Sequence, residues 1–135
     1  MAYTIGKKLT DDGVWLVYSG AKLKIGRAGS TEWLKAQEDL ERPFKKRIEK
    51  GTLSATIKRD INIRNVARTI LLDWDGVQDE DGKKVAYTEE IGFTALQDDP
   101  DLLEFVLDSA LDNDNFRVKE NEKVAKKSVS TSSGA

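Results

Sequence analysis

The segment Val77-Gln78-Asp79-Glu80-Asp81-Gly82-Lys83 spaces its acids as a calcium loop does. In the EF-hand loop, oxygen ligands fall at the first, third, fifth and twelfth positions, with glycine sixth. Setting Gly82 sixth puts Asp79 and Asp81 at the third and fifth positions. Val77 and Thr88 then occupy the first and twelfth, so two ligands are missing and the segment reads as a solvated turn. Asp73 and Asp75 could serve as an acid and a base, yet alternate residues leaving a helix end do not face one site. Gly26-Arg27-Ala28-Gly29 lacks the Lys-Ser/Thr pair of a phosphate loop. The chain has no histidine and no cysteine. It therefore has no base poised near neutral pH, no thiolate nucleophile, no disulfide and no Cys-type zinc site. No catalytic residue, cofactor or metal site is expected.

Arg42, Lys45, Lys46, Arg47 and Lys50 could contact phosphates, but Glu38, Asp39, Glu41 and Glu49 lie in and beside them. With 22 basic and 24 acidic residues the net charge is −2, so no global field argues for nucleic acid or an anionic membrane. No apolar run approaches the roughly 18–20 residues of a membrane span, and Met1 to Lys8 lack a signal peptide's apolar stretch. The hydrophobic share of 39 % and the charged share of 34 % describe a soluble globular chain of one domain's length.

The elements that position these residues centre on Ile61 to Thr88. Ile63, Val66, Ala67, Ile70, Leu71 and Trp74 recur at the spacing of one helical face, which predicts a helix over 54–74. Whether Leu53 to Asp60 is continuous with it is left open. The pattern stops at Asp75-Gly76. A polar turn closed by Gly82 follows, and Thr88 caps a helix over 89–97 with acids in its first turn. Upstream, residues 14–25 hold two short β-prone runs broken at Ser19-Gly20, read as a hairpin in preference to two unpaired extended segments. Ser30 or Thr31 caps a helix over 31–50, which Pro43 kinks or breaks. Asp99-Pro100 opens a helix over 99–112 with a wide apolar stripe, and Phe116 is placed to fold back as an anchor. The fold class is α+β, predominantly helical, with one domain over 1–116 and a flexible low-complexity tail over 117–135.

One pattern goes further. The order Trp33…Leu40-Glu41-Arg42-Pro43-Phe44, Val66-Ala67…Ile70-Leu71-Leu72-Asp73-Trp74-Asp75-Gly76-Val77, Asp79-Glu80-Asp81-Gly82-Lys83, Tyr87-Thr88 and Phe105…Ala110…Phe116 resembles the tail assembly chaperones of long-tailed bacteriophages. The resemblance implies a non-enzymatic protein of the infected cell's cytoplasm, absent from the finished virion. It would bind the tape measure protein, keep it soluble and help tail tube protein assemble around it. Self-association into rings or curved arrays would suit that role. Trp74, Gly76, Asp79 and Gly82 match the family pattern and are assigned to fold. Trp15, Phe105 and Phe116 are assigned to partner contact. Such genes commonly use a backward ribosomal slip near their end, and Ala125-Lys126-Lys127 can be encoded by a suitable heptamer. Two alternatives stand beside this reading. One is a structural tail or connector protein that stays in the virion, and the other is a small nucleic-acid-binding regulator using Arg42 to Lys50.

Overall fold

Ser19 and Gly20 both take positive φ, 49° and 82°. This is the two-residue turn whose twist matches that of the strands it joins. It links β1 (Val14–Tyr18) to β2 (Ala21–Ile25) in an antiparallel hairpin. The computed structural model describes residues 2, 3, 5 and 8–118.

Ser30 accepts from the amide of Trp33 and starts α1 (Thr31–Glu41). Pro43 then ends the α-helical run, because a proline removes one helical donor and crowds the preceding turn. A 3-10 turn over Arg42–Phe44 leads into the short, exposed α2 (Lys45–Glu49). Ser54 caps α3 (Ala55–Asn65), which widens into a π turn over Val66–Ile70. The chain then enters β3 (Leu71–Asp75), antiparallel to β2, giving a three-stranded sheet of order β1-β2-β3. Thr88 caps α4 (Glu89–Asp98). Asp99 caps α5 (Pro100–Leu111) by accepting from the amides of Asp101 and Leu102. A 3-10 turn over Asn113–Phe116 follows. The fold class is therefore the α+β, mainly helical one expected.

The helix expected over 54–74 is corrected. Its apolar face is buried as expected, but its last four residues, Leu71 to Trp74, form a strand with Asp75. Leu71 and Trp74 both face the core, paired with Ile25 and Leu23, although they are three residues apart. Strict strand alternation would turn one of them outward. A bulge opposite Lys24/Ile25 inserts the extra residue that lets both point inward. A bulged strand therefore mimics helical spacing here, and pairing with β2 decides between the two.

The core joins the inner face of the sheet (Leu23, Ile25, Leu71, Trp74) to Ile63, Val66, Ala67 and Ile70 and to Leu96, Leu102, Val106 and Ala110. Phe116 is fully buried beneath it. The N-terminal arm is tied to this anchor. The Thr10 amide donates to the Phe116 carbonyl at 2.7 Å, and Leu9 bridges Arg117. Beyond Val118 the expected tail, Ala125-Lys126-Lys127 included, lies outside the described residues.

Candidate partner-binding groove

A helix packing on one side needs an apolar stripe only somewhat wider than 100°. The apolar residues of α5, from Phe105 round to Leu111, span roughly 240° of its circumference at about 3.6 residues per turn. Leu102, Val106 and Ala110 fill the core. On one flank Phe105 packs on Tyr18, ring centroids 4.6 Å apart. On the other flank Leu103 and Leu107 remain half-exposed, and Leu111, one turn on, is exposed.

That second flank forms one wall of a groove of 580 Å³ between α1, α3 and α5, lined by Trp33, Ile63, Val66, Leu103 and Leu107. Ala55, Asn62 and the exposed Lys58 and Arg59 complete its lining. Neither cation makes an ion pair among the described residues. Behind the groove Asn65 is fully buried and holds its wall in place. Its Nδ2 donates to the Trp33 carbonyl at 3.1 Å and to Gln37 Oε1 at 2.9 Å. The Thr69 hydroxyl lies 2.9 Å from Asn65 Oδ1. An apolar floor with a cationic side can accept one face of an amphipathic helix. A second cavity of 340 Å³ beside Gly26 has walls of mixed charge. Two of its cations are already paired, Arg27 with Asp11 of the same lining and Arg68 with Glu89, each at 2.9 Å.

The corner residues have structural partners. Trp74 Nε1 donates to the Val85 carbonyl at 2.7 Å, and its ring meets Tyr87 edge-on at 4.8 Å. Gly76 takes φ 81° beside Ala21, with the Ala21 Cα 3.5 Å from where a side chain would begin. Asp79 Oδ1 accepts from the amides of Asp81 and Lys83, both at 2.9 Å, so this carboxylate closes its own turn. Gly82 takes φ 80° in that turn and donates to the Asp79 carbonyl.

Glu89, at the start of α4, accepts from Arg68 and lies 3.6 Å from Arg64. The hydrogen bond from Arg68, with the charges of Arg68 and Arg64, holds the Glu89 carboxyl below the usual glutamate range. Arg64 also reaches Glu90 at 2.8 Å and lies over the Phe93 ring.

The three residues assigned to partner contact have separate fates. Trp15 is 48 % exposed on the outer face of the sheet. Phe105 is half-buried against Tyr18. Phe116 is corrected: it is fully enclosed, because the chain folds back after α5 and the arm seals it, so it presents no surface. None of the three lines the groove. Lys58, Arg59, Leu103 and Leu107 line it instead, and the excess width of the apolar stripe on α5 is a readable signal for the two leucines.

Residues 28–127 match the model of a family described as YdaY prophage protein. No curated protein and no solved structure matches the chain.

Proposed function

Because the chain belongs to the YdaY prophage protein family and so is of phage origin, we propose that it is a tail assembly chaperone. In this reading it covers helical segments of the tape measure protein until tail tube protein replaces it, and it works by binding rather than catalysis. The groove between α1, α3 and α5 carries the proposal, since its apolar floor and its two cations, which make no ion pair among the described residues, suit the apolar stripe and flanking acids of a helix. The pattern from Trp33 to Phe116, which resembles such chaperones, adds support. A groove of this size gives modest, reversible contacts, and many copies along one long partner supply avidity. The proposed place of work is the cytoplasm of the infected cell.

Co-expression with the tape measure protein of the same phage tests this. The expected result is that more of the long protein stays soluble and co-purifies with several copies of this chain. If nothing is rescued and the chain is instead found in purified particles, the protein is a structural tail or connector component.

One observation favours a different reading. From Arg42 to Lys50 the chain is mostly exposed, and Lys45, Lys46, Arg47 and Lys50 make no ion pair among the described residues. Such a basic spur is suited to phosphate contacts in a nucleic-acid-binding regulator. A salt-sensitive shift of DNA or RNA that is lost on replacing Lys45 and Lys46 with Glu would support it.

A further inference from the structure

The two edges of the sheet are built differently. At the β3 edge, the bulge and the exposed Asp73 and Asp75 interrupt any further pairing. The β1 edge has none of these protections. Val14-Trp15-Leu16-Val17-Tyr18 contains no charge, proline or bulge, pairs in full register with β2, and has no second strand neighbour among the described residues. Trp15 and Val17 stand on its outer face, 48 % and 69 % exposed.

We propose that the β1 edge is a self-association surface and that its occupant is the β1 strand of a second copy, paired antiparallel about Leu16. The sequence of the strand is the argument for this occupant. Antiparallel pairing centred on Leu16 sets Trp15 opposite Val17 of the partner copy and Val14 opposite Tyr18 of the partner copy, each pair occurring twice. All four are pairs of an aromatic with a β-branched residue, among the favoured cross-strand pairs, and no like charges face each other across the join. The pleat agrees as well, because Trp15 and Val17 share the outer face while Val14, Leu16 and Tyr18 share the inner one. The result is a continuous six-stranded sheet in which the outer-face row runs Asp, Lys, apolar, apolar, Lys, Asp. Such a two-fold contact uses both open edges and closes at two copies, so it yields a dimer rather than a ring or an open array.

Sedimentation velocity of the full chain over a wide concentration range tests this. The expected result is a reversible monomer–dimer equilibrium. The double variant Trp15→Glu, Val17→Glu places each new carboxylate opposite Lys24 or Lys22 within its own sheet, which favours folding. Across the join it sets Glu against Glu twice, and the dissociation constant should rise about tenfold or more. The chain has no cysteine, so a second readout is clean. Mixing Trp15→Cys with Val17→Cys protein under oxidising conditions should give a mixed disulfide dimer faster than either protein gives a dimer alone. A monomer at every concentration, a dimer indifferent to the Glu pair, or no preference for the mixed disulfide would overturn the proposal.

Discussion

The Tyr87 hydroxyl donates to the backbone carbonyl of Ala67, twenty residues earlier in the chain. Ala67 lies in the π turn, where the helix is about to become β3 and its carbonyls lose their helical partners. Tyr87 follows the Asp79–Gly82 turn, so the loop reaches back to cap the helix from which it came. The Trp74 ring lies edge-on to Tyr87, and this contact joins the strand to the same cap.

Replacing Tyr87 by Phe keeps the ring and removes the donor. The Ala67 carbonyl would be left without that partner, at a cost of about 1–2 kcal/mol. For a domain of this size, the melting temperature should fall by about 4 °C per kcal/mol. Burial also pushes the Tyr87 phenol well above its ordinary range. A group with a raised folded pKa contributes stability that is full below its unfolded value, about 10, and is lost as pH rises toward the folded one. Wild-type stability should therefore fall more steeply above pH 10 than that of Tyr87→Phe, measured by urea titration at each pH.

Gly92 in α4 is buried directly against Tyr87. A methyl carbon there would stand 2.5 Å from Tyr87 Cε1, closer than any real contact. Gly92→Ala should gain helix propensity yet lose about 1–3 kcal/mol from overpacking. Gly92→Ala in a Tyr87→Ala background should lose much less, and the double-mutant cycle measures the difference.

The caps and turns were legible because each depends on residues close in sequence. Ser30, Thr88 and Asp99 cap the helices for which they were read, and Ser19-Gly20 turns the hairpin. Pro43 breaks its helix where a missing amide must. Leu71 to Asp75 could not be read in this way. Their spacing fits a helix, and only pairing to β2 across a bulge makes them a strand. The groove was half-legible. The excess apolar width of α5 is in the sequence, but which flank finds a neighbour depends on where Trp33 and Ile63 come to lie. Trp15 was read as a contact from type alone, and its exposure agrees with that role without testing it.

Asn65 is the one fully buried side chain with polar atoms among the largest core residues. Changing it to Leu preserves volume but leaves the Trp33 carbonyl and Gln37 Oε1 without that donor, while the Thr69 hydroxyl keeps the Asn65 backbone carbonyl at 3.0 Å. The expected loss is about 1–3 kcal/mol, because two acceptors in the groove wall lose a hydrogen bond at once. A denaturant midpoint that does not move would show that α1 and α3 are held by apolar contact alone.

The Arg68–Glu89 contact fixes the start of α4 to the π turn, and its contribution depends on acid. A carboxyl with a lowered pKa contributes stability that is complete above its unfolded value, about 4.3, and is lost as pH falls through the folded value. Glu89→Gln should therefore be less stable than wild type at neutral pH. The difference should be only about 0.5–1 kcal/mol, since the pair is partly exposed and screened by solvent. The two proteins should converge as pH falls through that lowered folded value, and added salt should narrow the gap at pH 7.

The groove reading makes its sharpest claim at the cationic side. Lys58 and Arg59 are exposed and make no ion pair among the described residues, so reversing both charges should change stability by less than about 0.5 kcal/mol. If they face acids on a bound helix, Lys58→Glu with Arg59→Glu should slow association and weaken capture of the tape measure protein by about tenfold. The loss should shrink as salt is raised, because rim charges act mainly through the encounter rate. Leu107→Glu tests the floor separately. It buries a carboxylate wherever a partner covers the groove, so the dissociation rate should rise and salt should not restore binding. If the rim pair alone matters, the partner binds through charge and not through an apolar helix face. If neither change alters capture while both proteins melt like wild type, the tape measure protein binds elsewhere on the chain.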